Sequence, residues 1–329
     1  MLIAYTGGTF GVHLKQKRME NKILGIHHIT AIAGNAKRNY EFYTKVLGLR
    51  FVKKTVNFDD PGTYHFYFGD EVGTPGTILT FFPWEGVSKG KQGTGMATDI
   101  GYAVPDKSLD FWTDRFKKLD VKITGSGTRF GESYLSIEDP DGLPLTLVVP
   151  ASGDERKPWE TKEVNEEVAT RGFHSITLSL QSVTETSRIL TDILGYTLEK
   201  QEGNRYRHVT NAVSGASTVD LLEDTGAGRA INAGGTIHHV AFRVKDEEVL
   251  MAYREKILSR GLNITPKIDR NYFFSLYFRE PGGVLFELAT DNPGFDVDEP
   301  VNELGTHLKL PAQYEGRRTE IEKVLPALA

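Results

Sequence analysis

The chain has no cysteine among its 329 residues, which excludes disulfide bonds, thiolate metal sites and cysteine nucleophiles. It also lacks an excess of positive charge, since its formal net charge is -5 at pH 7. This charge gives no electrostatic case for binding nucleic acid or an acidic membrane. No run approaches the roughly 18 continuous apolar residues of a membrane span. Neither nucleic acid nor a membrane is therefore an expected partner.

The composition is that of a soluble globular protein, with 39% hydrophobic and 25% charged residues. The length suffices for two ordinary domains. Residues 1–18 lack the hydrophobic core and cleavage site of an export signal, so a cytoplasmic location is expected. Residues 1–22 are predicted to be an N-terminal extension, and Met19 is a candidate alternative start.

Four short apolar segments recur along the chain at similar intervals and open four predicted repeats. They are HITAIA at His28, DIGYAV at Asp99, SITLSL at Ser175 and HVAFRV at His239. Their starts are 71, 76 and 64 residues apart. Such a regular period indicates one structural unit used four times.

Each opening strand is followed by a polar turn and an amphipathic helix, then by a break and three extended runs. The apolar stripes of the four helices consist of Tyr40, Tyr43 and Leu47; Leu109, Trp112, Phe116 and Leu119; Leu190, Ile193 and Leu194; and Val249, Tyr253 and Ile257. The sequence therefore predicts an α+β fold of four βαβββ modules.

The modules fall into two predicted halves, 23–150 and 171–292, because the polar and charged residues 151–170 have the composition of a linker. Residues 293–329 form a predicted C-terminal tail, and its segment 317–328 is expected to be a short helix.

Two of the opening strands carry adjacent histidines, His27 with His28 and His238 with His239. The last strand of the fourth module, VLFELA, contains Glu287 within an apolar run. An unpaired carboxylate buried there would be costly, and a metal ion would explain it. Two histidines and one glutamate are thus candidates for a single metal centre.

The chain resembles the vicinal oxygen chelate superfamily and, within it, the ring-cleaving dioxygenases that act on methyl- or chlorohydroquinones. The segments that carry the resemblance are GIHHITA at Gly25, VKKTVNFDDPGTYHFYFGD at Val52, FFPW at Phe81 and VLFELATD at Val284. The resemblance implies two tandem glyoxalase-like domains of two βαβββ modules each. It also implies that the first and fourth modules combine into one metal site, while the second and third form a half without metal.

The ligand positions of that family fall here on His28, His239 and Glu287. A facial triad of two histidines and one carboxylate leaves coordination positions open and suits Fe(II). The resemblance further assigns His27, Thr30, His238, Arg270 and Tyr277 to the surroundings of the metal and the substrate. Because side chains alternate along a strand, His27 and His28 are expected on opposite faces unless a bulge intervenes.

The remaining histidines and aromatic residues receive weaker interpretations. His65 and His174 are assigned structural roles, and His13, His208 and His307 have no supporting context. The aromatic residues Phe81, Phe82 and Trp84 could form a pocket wall, although core packing explains such runs as well.

The expected function is that of an Fe(II)-dependent, extradiol-type dioxygenase that uses O2 to open a hydroquinone-type aromatic ring. In this scheme His27, His238 or Tyr277 manages protons, and Arg270 stabilises an anion. One alternative is a glyoxalase-like metal-dependent lyase or isomerase, which would need a fourth protein ligand. Another is a metal-free protein that binds an aromatic compound. The sequence leaves open whether the protein forms a homo-oligomer.

Overall fold

The computed structural model describes residues 22–328, so the predicted extension lies almost wholly outside the described residues. The four predicted βαβββ modules are confirmed. The first consists of β1 (Ile26–Ala33), α1 (Ala36–Glu41, continued by a π-helical turn, Phe42–Val46), β2 (Arg50–Val56), β3 (Tyr64–Gly69) and β4 (Ile78–Pro83). The second consists of β5 (Met96–Ala103), α2 (Leu109–Lys118), β6 (Ile123–Arg129), β7 (Glu132–Glu138) and β8 (Pro144–Val148).

The second half of the chain repeats this order. The third module consists of β9 (Phe173–Leu180), α3 (Thr184–Arg188, continued by a π-helical turn, Ile189–Ile193), β10 (Thr197–Glu202), β11 (Arg205–Val209) and β12 (Thr218–Glu223). The fourth consists of β13 (Thr236–Val244), α4 (Glu247–Leu258), β14 (Ile268–Asp269), β15 (Phe273–Arg279) and β16 (Leu285–Pro293). The tail contains 3-10 turns at Phe295–Val297, Val301–Glu303 and Ala312–Arg317, then α5 (Arg318–Val324).

The strands form two sheets of eight, in the orders β14-β15-β16-β13-β1-β4-β3-β2 and β10-β11-β12-β9-β5-β8-β7-β6. The first sheet combines the first and fourth modules, and the second sheet combines the second and third. Strand β1 joins the halves of the first sheet by pairing antiparallel with β13 and parallel with β4. The predicted pairing of modules one and four is thus confirmed. Each sheet takes one module from each half of the sequence.

The helices bury the apolar stripes that their spacing predicted. Tyr43, Trp112 and Leu190 are fully buried, whereas Leu119, at the end of its stripe, is 43% exposed. Leu119 is the C-cap of α2, where the helix ends, and so it projects beyond the packed face. The first extended run of the fourth module is shorter than predicted, since Ile264 makes only a single bridge to Phe278 before β14 begins.

The C-terminal tail covers β2 and the loop that follows it. The side chain of Lys53 on β2 is fully buried, and its Nζ lies 2.6 Å from Asp298 and 2.7 Å from Glu299. Farther along the tail, the hydroxyl of Tyr314 donates to the carbonyl oxygen of Phe58 at 2.7 Å. The tail is therefore an integral part of the fold, and it anchors the loop at residues 57–63.

Within residues 22–328, no helix is long and apolar enough to cross a membrane.

Candidate metal centre

Three side chains from adjacent strands of the first sheet converge on one buried point. His28 lies on β1, His239 on β13 and Glu287 on β16. The Nε2 atoms of the two histidines are 3.4 Å apart, and they lie 3.1 Å (His28) and 2.8 Å (His239) from Oε2 of Glu287. All three residues are at most 5% exposed. In residues 22–328 this is the one group of three or more histidine or carboxylate side chains able to share a metal ion.

The strands that carry the histidines begin at glycines that no other residue could replace without strain. Gly25 and Gly235 have φ values of +83° and +79°. A Cβ atom on either would clash with a carbonyl oxygen in a loop between strands of the second sheet, that of Ala216 (before β12) or of Asp141 (between β7 and β8). These loops therefore approach the backbone closely where the histidine strands start, and only glycine leaves room for them.

Two β-bulges, one at each histidine pair, turn both histidines of the pair towards the same side of the sheet. In the pairing of β1 with β13, the register shifts between Ile26 and His28 on β1, which leaves His27 as an extra residue. A second shift, between the partners of Thr30 and Ala31, leaves His238 as an extra residue on β13. A bulge breaks strict alternation of side chains. The expected placement of His27 and His28 on opposite faces is therefore wrong: their Nδ1 atoms lie 2.9 Å apart.

The three converging groups have the donor set and the spacing that a metal ion requires. Within residues 22–328, neither carboxylate oxygen of Glu287 accepts a hydrogen bond of ordinary geometry, although the side chain is fully buried. Ligand atoms held at about 2.1 Å from one ion, at right angles, lie about 3 Å apart. The separations of 2.8, 3.1 and 3.4 Å agree with this value. A metal ion would satisfy oxygens that are otherwise unpaired.

The protonation states also suit metal binding. Burial lowers the pKa of His239 and so keeps its imidazole neutral. Burial alone would raise the pKa of Glu287, but His28 and His239 outweigh this effect and hold it well below its usual range. Neutral imidazoles and an ionised carboxylate are the forms that ligate metal ions.

The neighbouring histidines determine which imidazole nitrogen each ligand offers. The Nε2 atom of His27 lies 3.1 Å from the carbonyl oxygen of Thr290, which can only accept, so this nitrogen carries the proton. The Nδ1 atom of neutral His27 then accepts a hydrogen bond from the Nδ1–H of His28. This arrangement leaves the Nε2 lone pair of His28 free at the point where the three ligands meet. His27 thus fixes the ligating tautomer of His28.

The second pair, His238 with His239, has the same arrangement of ring nitrogens and differs from the first only at Nε2 of its first histidine. Nδ1 of His238 lies 2.8 Å from Nδ1 of His239. For Nε2 of His239 to ligate, its Nδ1 must donate to His238, whose own proton is then on Nε2. Burial lowers the pKa of His238 to about 3, so the ring stays neutral. In the described part of the chain, Nε2 of His238 has no hydrogen-bond partner, and the residue borders the pocket described next. His238 is therefore a hydrogen-bond donor available to a ligand.

A pocket of about 460 Å³ borders two of the three ligands, His28 and His239, and its volume is within the range of small-molecule sites. The predicted residues Thr30, His238, Arg270 and Tyr277 line it together with His28 and His239, whereas His27 lies behind His28 and does not. The other residues of its wall are Asn57, Phe58, Asp59, Asp60, His65, Tyr67, Phe82, Trp84, Phe273 and Leu285.

One wall of the pocket carries a cation and a neutral phenol. The guanidinium carbon of Arg270 lies 5.3 Å from the ring centre of Tyr277. The Nε atom of Arg270 is buried and has no hydrogen-bond partner among the described residues. The carboxylate nearest to the guanidinium, that of Asp59, is 3.9 Å away and 85% exposed. Burial and the charge of Glu287 raise the pKa of Tyr277, which keeps its hydroxyl protonated. This wall can bind an anionic oxygen and donate hydrogen bonds to it.

His65 lies in the pocket wall, although the sequence analysis assigned it a structural role. Its ring centre lies 4.4 Å from that of Phe82 with the two planes tilted by 40°, and both its nitrogens make hydrogen bonds. The alternation of His65 and Tyr67 along one strand could have indicated a shared face. The aromatic residues near the end of β4 have both of the roles considered for them: Phe82 and Trp84 border the pocket, and Phe81 is buried in the core.

The second sheet fills the corresponding region with ion pairs. The guanidinium of Arg207 makes two contacts of 2.9 Å with Asp220 and also binds Glu132. His174 lies 2.9 Å from the same carboxylate of Glu132, which is consistent with the structural role predicted for it.

Comparison with known proteins places this architecture in a family. The sequence pattern of the Glyoxalase/Bleomycin resistance protein/Dioxygenase superfamily matches residues 25–147 and 172–288. A solved structure described as a "putative dioxygenase" from Bacillus subtilis is 44% identical with a TM-score of 0.90, and the match covers 94% of this chain and 98% of that one. Glyoxalase I from Zea mays shares the fold at 16% identity and a TM-score of 0.63, with 86% and 97% of the two chains covered.

Curated relatives match over nearly the whole chain. "Putative ring-cleaving dioxygenase MhqO" of Bacillus subtilis is 46% identical over 307 residues, which cover 93% of this chain and 97% of that protein. The chlorohydroquinone/hydroquinone 1,2-dioxygenase of Sphingobium indicum is 34% identical over 94% of this chain and 98% of its own. The predicted family and enzyme class are confirmed. The chain therefore belongs to the glyoxalase/bleomycin resistance protein/dioxygenase superfamily and, within it, to the family that contains these ring-cleaving dioxygenases.

Proposed function

We propose that the protein is an Fe(II)-dependent, extradiol-type dioxygenase that opens the ring of a hydroquinone-type aromatic substrate with O2. The observation that carries this proposal is the convergence of His28, His239 and Glu287 beside a pocket of about 460 Å³ with aromatic walls. A relative of 34% identity is named for activity on chlorohydroquinone and hydroquinone. Ferrous iron persists in a reducing compartment, so we place the reaction in the cytoplasm.

Two histidines and one carboxylate leave three of the six positions of an octahedral ion open. Fe(II) held there would supply a centre at which a substrate oxygen and O2 can be activated together. Three ligands, not four, are grouped within residues 22–328, and this favours oxygen chemistry over glyoxalase-type isomerisation.

The pocket residues of this chain suit a deprotonated hydroquinone. Arg270 is the cation of the pocket and would stabilise negative charge on the substrate as the ring is attacked. Tyr277 and the Nε2–H of His238 are neutral donors, each able to hold or deliver a proton at a substrate oxygen. The rings of Phe82, Trp84 and Phe273 would pack against the substrate ring and exclude water.

The test is oxygen consumption after anaerobic loading with Fe(II), with methylhydroquinone, catechol and a hemithioacetal offered separately. We expect uptake with methylhydroquinone and none in Glu287→Ala. Glu280→Gln is a matched control, because Glu280 is equally buried near the same strand but binds Thr186 and backbone amides away from the pocket.

Each other outcome points to a different function. Uptake with catechol alone would keep the mechanism and change the substrate class. Turnover of the hemithioacetal without O2 would establish the lyase or isomerase. If the protein retains no iron, and His28→Ala binds an aromatic ligand as tightly as the wild type, the protein is a binding protein.

A further inference from the structure

A row of four hydrogen-bonded side chains runs from β3 through β4 to β1, and three of the four, Tyr67, His65 and Thr30, line the pocket. The hydroxyl of Tyr67 lies 2.9 Å from Nδ1 of His65. Nε2 of His65 lies 2.9 Å from Oγ1 of Thr80, which in turn lies 2.8 Å from Oγ1 of Thr30. Tyr67, Thr80 and Thr30 are at most 1% exposed. The row ends two residues from the metal ligand His28.

The acid and base strengths of the four side chains determine which of them donates each hydrogen bond, and the direction of the row means this order of donors. A phenol is a stronger acid than an aliphatic hydroxyl, and an imidazole nitrogen is a stronger base than either oxygen. Tyr67 therefore donates to Nδ1 of His65. Burial raises the pKa of Tyr67 and lowers that of His65, so the phenol keeps its proton and the imidazole carries only one.

The remaining steps follow from the single proton of His65. With Nδ1 accepting, the proton of His65 is on Nε2 and is donated to Thr80. The hydroxyl of Thr80 then donates to Thr30. Among the described residues, Thr30 Oγ1 has no other hydrogen-bond partner, so its own proton is free on the pocket side.

We propose that Tyr67, His65 and Thr80 are positioning residues that make the hydroxyl of Thr30 a donor to the substrate oxygen beside the metal. The row thereby favours a substrate whose oxygen accepts a hydrogen bond there, as the phenolate oxygen of a hydroquinone does. This inference rests on the proposed function for the identity of the substrate but not for the direction of the row.

The first test reads the tautomer of His65 directly, by 15N NMR of the histidine-labelled, metal-free protein. The expected result is a proton on Nε2 and none on Nδ1. In Tyr67→Phe, which removes the donor to Nδ1, the two tautomers should mix. A proton on Nδ1 of His65 in the wild type would overturn the proposal, whatever activity the enzyme has.

The second test is a double-mutant cycle on kcat/KM for methylhydroquinone. Loss of one neutral hydrogen bond corresponds to a decrease of about 3- to 10-fold, which we expect in Thr30→Val and in Thr80→Val. Because Thr80 acts through Thr30, the double variant should be no slower than Thr30→Val alone. If the decrease in kcat/KM of the double variant equals the product of the two single decreases, the proposal is overturned.

Substitutions of His65 separate positioning from packing. His65→Gln keeps a donor and an acceptor and should retain most of the activity, whereas His65→Leu should fall to the level of Thr80→Val. Equal losses in both variants would show that only the shape of the ring matters and would overturn the proposal. Thr146→Val is the control, since Thr146 is a buried threonine hydrogen-bonded to Ser136 and Asp99 in the second sheet. A wild type that is inactive with every hydroquinone refutes the proposed function, while the tautomer measurement still decides the direction of the row.

Discussion

Replacing His27 should weaken metal binding although His27 is not a ligand. Its Nε2 donates to the carbonyl oxygen of Thr290, and its Nδ1 accepts from Nδ1 of the ligand His28. His27→Leu removes that acceptor and leaves the Nδ1–H of His28 buried without a partner. Tautomerisation of His28 would relieve this cost only by placing a proton on the nitrogen that must ligate.

The magnitude follows from the cost of one unsatisfied buried donor, about 1–3 kcal/mol. This cost corresponds to a decrease in metal affinity of about 5- to 150-fold, and removing the hydrogen-bond partner of a ligating histidine usually lowers affinity by about 10- to 100-fold, within that range. The rings of His27 and His28 both pack near Phe273, so some loss of packing in His27→Leu is unavoidable. His27→Gln corrects for it, because its amide can donate to Thr290 and accept from His28.

The assay is anaerobic competition for Fe(II) with a chelator of known affinity, followed optically and independent of turnover. We expect His27→Leu to bind iron 10- to 100-fold more weakly, by the same estimate, and His27→Gln to bind close to the wild type. His208→Leu serves as the control, since His208 is a fully buried histidine of the second sheet that bonds to Ser187. Equal iron affinity in His27→Leu and the wild type would refute the role of His27 in fixing the tautomer.

Three further predictions concern the pocket and the fold. Tyr277→Phe should lower kcat/KM by about 100-fold, the lower limit for loss of a proton donor, and leave iron affinity unchanged. A decrease in iron affinity instead would assign Tyr277 to the support of the metal. Lys53→Met should lower the free energy of unfolding by about 3 kcal/mol in denaturant titrations, because Glu299 stays buried without its partner. An unchanged unfolding midpoint would show that the ion pairs between Lys53 and the tail do not contribute to stability. Burial alone would raise the pKa of Glu132, yet His174 and Arg207 hold it at about 2. The ionised carboxylate of Glu132 therefore stabilises the fold fully above pH about 4.5, and this contribution is lost as the pH falls towards 2. The free energy of unfolding of Glu132→Gln should therefore depend less on pH in this acid range than that of the wild type. Parallel acid profiles of the two proteins would contradict this assignment.

The sequence was most informative where a pattern repeats or where a residue breaks a pattern. The four βαβββ modules followed from the spacing of apolar strands, because strands and amphipathic helices have distinct periods. Glu287 was conspicuous because a charge within a buried strand needs a partner. The pairing of His28, His239 and Glu287 depended on the family resemblance, since nothing local links residues that lie 211 positions apart.

Features that depend on contacts between distant strands could not be predicted. The bulges at His27 and His238 arise from the register between β1 and β13, which neither strand specifies alone. The alternation rule therefore gave the wrong orientation for His27. His65 appeared structural because its partner Thr80, and Thr30 to which Thr80 bonds in turn, come from two other strands. The position of the tail over β2 depends on the ion pairs of Lys53, which ordinary strand patterning gives no reason to expect.

The central claim, that iron held by His28, His239 and Glu287 supports opening of a hydroquinone ring with O2, is tested most directly with labelled oxygen. The Fe(II)-loaded enzyme is given methylhydroquinone under 18O2, and the product is analysed by mass spectrometry. The account predicts a ring-opened product with label in its carboxylate, consumption of O2 and hydroquinone in equal amounts, and neither reaction in Glu287→Ala. Formation of unlabelled quinone, with the ring intact, would contradict it.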